Sequence, residues 1–279
     1  MALLDGKKTL ISGVANKKSI AWGIAQALHA YGSQIAFACH PTNLRRVRKL
    51  APEVDSEIII PCDVGKDEEI AQAFDQVGNV FDGKLDILVH SIAYANLDDL
   101  GGEFIKTSRS GWNLALDISA YSLVVLARCA RPLMKAAREG SIMTLTFGDG
   151  KVVPGYNIMG VAKAALEMAV RYLAYDLGPE NIRVNAIASG PIQTISSLAI
   201  EDFSVALCMM EERSPLLRNV TLEDVGRTAV YLASDFSKAV TGSVIKVDSG
   251  MNIMSPPTAP HRKLKEAYDA WLKQARNMK

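Results

Sequence analysis

The sequence predicts an α/β fold built on one doubly wound, seven-stranded parallel sheet. Seven short β-rich runs, at 9–12, 34–39, 57–61, 85–90, 141–146, 183–188 and 243–247, are separated by longer segments with apolar residues at helical spacing. Strand and helix alternate strictly, which calls for crossover connections and hence parallel pairing. In such sheets ligands bind beyond the carboxyl ends of the strands, where the winding reverses, so each strand end is a candidate for chemistry.

The first strand runs into Gly13, where glycine permits positive φ or a close backbone approach. Ser19 stands where it could cap the helix that follows, and the repeat Ile20, Ile24, Ala27, Leu28, Tyr31 stops at Gly32, a C-cap position. The positive end of that helix is suited to a phosphate. The spacing of this turn is not the usual G-x-G-x-x-G, and a plain turn is the bland alternative. The second strand ends at Cys39-His40, with no Asp or Glu to accept the ribose hydroxyl of NADH; Arg45, Arg46 and Arg48 follow, either toward a 2′-phosphate or as a solvated face. The third strand leads to Cys62-Asp63-Val64, where Asp63 is either an acceptor for the adenine amino group or a cap for a helix starting near Lys66. The fourth ends in His90-Ser91-Ile92-Ala93, which Tyr94-Ala95 follow, and the sixth leads to Ser189-Gly190-Pro191.

After the fifth strand comes Tyr156-Asn157-Ile158-Met159-Gly160-Val161-Ala162-Lys163. A separation of seven residues puts Tyr156 and Lys163 about 20° apart around a helix and ~10 Å apart along it. On a shared face, the ammonium could hold ribose hydroxyls while the phenol donates to an oxygen that becomes negative during reaction.

Composition narrows the field. With 49% hydrophobic and 22% charged residues and a net charge of +1, the chain is an ordinary globular protein and not a nucleic-acid binder that works through overall charge. No export signal and no uninterrupted apolar stretch near ~20 residues is evident, so a soluble, cytoplasmic protein without a membrane span is expected. Cys39, Cys62, Cys129 and Cys208 have no paired spacing, which suits reduced thiols and no metal site. No linker precedes Ser255. Residues 1–254 are therefore expected to form one domain and 255–279 an extension, in which Leu264, Ala267, Tyr268, Trp271, Leu272 and Ala275 make an apolar helical face against a basic one.

With these motifs the sequence resembles the bacterial NADH-dependent enoyl-acyl carrier protein reductases, a divergent branch of the short-chain dehydrogenase/reductases with a Rossmann sheet. The resemblance covers about Leu4 to Met254 and adds Val184-Asn185-Ala186, Gly190-Pro191-Ile192 and Asp248-Ser249-Gly250 to the segments above. Most short-chain dehydrogenases place the catalytic tyrosine four residues before the lysine, where Met159 stands here; the displacement to Tyr156 is a mark of the enoyl reductases.

The resemblance implies that Tyr156 binds the carbonyl of a trans-2-enoyl thioester, that Lys163 binds the nicotinamide ribose, and that hydride passes from NADH to the β-carbon, in the last step of the fatty-acid elongation cycle. Gly13, Ser19, Ile20, His40, Asp63, Val64, Ile92, Ile192 and Thr194 would line the cofactor, NADH rather than NADPH. Ala95 and Met159 would lie against the substrate beneath a helical lid at about 195–215 carrying Ile200 and Phe203. Acyl carrier protein as carrier and a homotetramer are implied as well. Departures from the family pattern are Phe147 where a second tyrosine is usual, a short loop through Gly148, Asp149 and Gly150, the order Ala188-Ser189 before Gly190, and Gln193 in place of arginine. They leave open a related reductase acting on a coenzyme A thioester and, from another class, a dinucleotide-binding protein without catalysis.

Overall fold

The computed structural model describes residues 2–147, 150–153, 155–194, 197, 203–255 and 266. Its strands are β1 (Lys8–Ser12), β2 (Gln34–Cys39), β3 (Ile58–Pro61), β4 (Ile87–His90), β5 (Gly140–Thr146), β6 (Ile182–Ser189) and β7 (Val244–Val247). The described helices are α1 (Ile20–Ala30), α2 (Leu44–Leu50), α3 (Asp67–Val80), α4 (Arg109–Leu116), α5 (Ser122–Ala137), α6 (Asn157–Leu177), α7 (Phe203–Arg213) and α8 (Leu222–Ala233). The strands form one sheet in the order β3-β2-β1-β4-β5-β6-β7, parallel throughout, so the expected fold class holds.

Period-two alternation divides the core between the two faces of the sheet. Ile11, Phe37, Ile87 and Val89 point into one cluster with Trp22, Ile24 and Leu28 of α1 and with α8. Leu10, Leu88, Ile142 and Val184 point the other way, onto Ile70 and Phe74 of α3, Leu126 of α5 and Leu166 of α6. Strands buried on both sides explain why these runs are apolar throughout instead of alternating with polar residues. Helices α1 and α8 cross closely: a Cβ on Gly23 would lie 2.7 Å from Leu222 Cβ, and one on Gly226 would lie 2.8 Å from the Gly23 carbonyl oxygen.

Several expectations need correction. Ser19 does occupy the N-cap of α1, but its Oγ makes no bond to a helix amide; it accepts from the N–H groups of Ala15 and Asn16, both at 3.1 Å, and so braces the turn after β1. Asp63 does not cap α3, whose N-cap is Lys66; its Oδ1 accepts from Gly65 N–H at 3.1 Å. The continuous helical run Arg109–Ala137 is long and apolar enough to cross a membrane by length and composition, although polar residues interrupt its apolar stretch. Half of that run's apolar window is buried inside the protein, where Leu123, Leu126 and Ala127 belong to the core beside β4 and β5. Ile200, the loop residues Gly148 and Asp149, and nearly all of the 255–279 extension, including its apolar face, lie outside the described residues.

Candidate active site

The winding reverses between β1 and β4, and there the backbones nearly touch. Gly13 has φ +96°, and a Cβ on it would fall 1.9 Å from the Ser91 carbonyl oxygen, so no other residue fits without moving the strand ends apart. This pinch, the brace from Ser19 and the N-terminus of α1 with Ile20 place the predicted phosphate turn at the switch point. On one side Val64 and Ile92 are half-buried against the cluster below; on the other Ile192 packs against the α1 side. Asp63 lies beyond β3, with His40 Nε2 4.0 Å from its Oδ2 and Lys66 Nζ at 3.5 Å. Thr194 and Ser197 are tied twice: Thr194 Oγ1 accepts from Ser197 N–H and Ser197 Oγ accepts from Thr194 N–H.

Tyr156 stands at the N-cap of α6. With Leu100, Leu116 and Val161 it flanks a small apolar cluster that contains Ala95, Ala115, Ile158, Met159 and Ala162, so three of the predicted substrate residues, Ala95, Tyr156 and Met159, are brought together. The ring of Phe147, just past β5, lies 5.8 Å from the Tyr156 ring at an interplanar angle of 51°. Burial pushes the Tyr156 phenol up to about 12, so roughly one molecule in 10⁵ is ionised at pH 7 and the hydroxyl is a donor. Phe203, the remaining predicted substrate contact among the described residues, opens α7 and is half-buried.

Lys163 is nearly fully buried one strand end away, and its Nζ donates to the Leu145 carbonyl oxygen of β5 at 2.8 Å. Desolvation pulls its pKa down to about 8, against the opposing pull of the Glu167 carboxylate. A cationic head fixed at the carboxyl edge of the sheet is therefore present at neutral pH.

Sequence reasoning had His90 and Asn157 inside its motifs but gave no supporting role to them or to the other residues that hold this site. His90, fully buried at the end of β4, hydrogen-bonds Thr144 Oγ1 at 2.7 Å and Ser122 Oγ at 2.9 Å. Burial and the nearby Lys163 charge push it down to about 3, so it is neutral. Asn157 carries φ +35° and donates from Nδ2 to the carbonyls of Gly101 and Gly102, tying the start of α6 to the loop after β4. Ser119 Oγ accepts from Tyr94 N–H and donates to the Tyr94 carbonyl, fixing the residue before Ala95. Thr146 Oγ1 donates to Glu167 Oε1 at 2.6 Å. Glu167, four residues after Lys163, had a helical-spacing signal that could have drawn notice. A cavity of about 410 Å³ lies at the opposite, amino-terminal edge between β2 and β3, far from these groups.

The residues present fit a dinucleotide: a glycine pinch before a helix N-terminus, an acceptor beyond β3 and a buried ammonium at the far end of the groove. Comparison with known proteins agrees. A family model described as enoyl-(acyl carrier protein) reductase matches residues 13–252. The NADH-dependent enoyl-acyl-carrier-protein reductase of Nostoc sp. is 47% identical over 259 residues, covering 91% of this chain and 99% of that protein. Its counterpart from Aquifex aeolicus is 46% identical over 270 residues, covering 96% and 99%. Among solved structures, the Bacillus cereus enoyl-acyl carrier protein reductase with NADP+ and indole naphthyridinone superposes with a TM-score of 0.88 at 48% identity, covering 91% of this chain and 100% of that one. The chain belongs to the enoyl-(acyl carrier protein) reductase family.

Proposed function

We propose that this protein reduces the double bond of a trans-2-enoyl thioester carried on acyl carrier protein, using NADH, in fatty-acid biosynthesis. The observation that carries the reading is the meeting of Tyr156 with Ala95 and Met159 in one apolar cluster at the carboxyl edge of the sheet, with the Lys163 ammonium held at the neighbouring end of β5.

NADH, when bound, supplies the hydride. Gly13, Ser19, Ile20, Val64, Ile92, Ile192 and Thr194 shape its groove, Asp63 and His40 sit on the adenosine side, and Lys163 engages the nicotinamide ribose. Tyr156 donates a hydrogen bond from its hydroxyl to the thioester carbonyl and stabilises the enolate oxygen that forms as hydride adds to the β-carbon; a proton originating in solvent then goes to the α-carbon and completes the saturated thioester. Its high pKa keeps it a donor throughout. Ala95 and Met159 exclude water from the reacting carbons, which strengthens that hydrogen bond. Phe147 has no proton to give, so it shields the phenol and takes no part in protonating the α-carbon. Residues 1–254 act as one catalytic domain, with α7 and Phe203 covering the acyl chain. A homotetramer and a cytoplasmic location complete the reading; burial that pushes the Cys39 thiol up to about 11 and Cys62 up to about 12 keeps both protonated and unreactive. Consumption of NADH with formation of the saturated thioester tests the proposal.

A further inference from the structure

Lys163 is buried among groups that the proposed chemistry does not itself use. Thr146 closes β5 and fixes the carboxylate of Glu167 with a 2.6 Å hydrogen bond. Glu167 stands one helical turn after Lys163, on the side of α6 turned toward β5. Lys163 Nζ donates to the carbonyl of Leu145, the residue next to Thr146, so ammonium and carboxylate are both anchored on the last two residues of one strand.

Among the described residues, two further titratable groups near Lys163 carry no charge at neutral pH. His90, facing it from β4, bonds through both ring nitrogens and is held neutral, and Tyr156, on the same helix, remains protonated. The Leu145 carbonyl on β5 is a dipole only. Among the described residues, Glu167 is the anionic group that acts on Lys163. Removing a lone ammonium from water favours loss of its proton, and a fixed anion at one turn's distance opposes that loss.

We infer that Glu167, pinned by Thr146, is a positioning residue that supplies the counter-charge keeping Lys163 an ammonium. Its consequence for catalysis rests on the proposed cofactor role of Lys163. A purely structural tie between α6 and β5 would need only the hydrogen bond from Thr146, which a glutamine could still accept.

The test separates charge from tie and needs no turnover. In ligand-free protein with isotope-labelled lysine, the Lys163 resonance is assigned by its loss in Lys163→Arg and followed by NMR against pH. The wild-type midpoint is expected at about 8. In Glu167→Gln it should fall by roughly one unit, and Glu167→Asp should recover most of that shift. An unchanged or higher midpoint in folded Glu167→Gln overturns the inference. Should that variant fail to fold, Thr146→Val decides in the same way: release of the carboxylate is expected to lower the midpoint, and an unmoved midpoint overturns the inference. In parallel, NADH binding followed by fluorescence should weaken at lower pH in Glu167→Gln than in the wild type. Wild-type protein that bound no NADH at any pH would instead refute the cofactor site, while the lysine titration would still judge Glu167 by itself.

Discussion

The rings of Phe147 and Tyr156 meet at 5.8 Å with a 51° tilt, an aromatic contact between the residue just past β5 and the N-cap of α6. It places a hydrocarbon ring against the phenol where family members usually have a hydroxyl. Phe147→Ala should admit water and lose an aromatic pair worth ~1 kcal/mol, with turnover falling roughly fivefold. Desolvation alone raises the Tyr156 pKa, so hydration must lower it. An ultraviolet difference titration, referenced to Tyr156→Phe, should reveal a Tyr156 phenolate in Phe147→Ala at pH values where the wild type shows none.

Gly13→Ala should be severe. The new Cβ would fall on the Ser91 carbonyl and hold a strained positive φ, so a loss of at least ~3 kcal/mol is expected. Denaturant unfolding measures it, and NADH affinity should fall with it, because the β1–β4 pinch shapes the proposed cofactor groove.

His90 gives stability a pH dependence with a definite sign. Its pKa is lowered from 6.5 to about 3 on folding, so between those values the unfolded chain binds the additional proton. The contribution is complete above pH 6.5 and is lost as pH falls toward about 3. Unfolding midpoints in denaturant should drop over that window in the wild type and drop less in His90→Gln.

Association is testable directly. Light scattering should return about four times the 30.2 kDa chain mass at micromolar concentration. A value near one chain would refute the tetramer.

The fold was legible because each strand is an apolar run closed by a small or polar residue and each helix has a periodic face; these signals are local. The Tyr156–Lys163 spacing was legible for the same reason, and it set the chain apart from reductases with tyrosine at position 159. The supports of the site were not, since His90 meets Thr144 and Ser122 from 54 and 32 residues away, and Asn157 reaches Gly101 across 56. No periodicity encodes such pairings. Ser19 takes the expected N-cap position without the cap bond, and of the two roles open to Asp63 the cap is the one that fails, for a related reason: a short polar side chain after a strand can serve a helix amide or a loop amide equally well, and only the turn's path decides.

The most direct test of the central claim compares NADH oxidation by the wild type and Tyr156→Phe with crotonyl-acyl carrier protein, followed at the nicotinamide absorbance. The wild type should oxidise NADH only when the enoyl thioester is present and release the saturated thioester. Tyr156→Phe should retain NADH binding while turnover falls by ~100 to 1,000-fold, the loss typical of removing one donor to an oxyanion. Wild-type turnover in Tyr156→Phe, or no thioester-dependent oxidation by the wild type, would contradict the account.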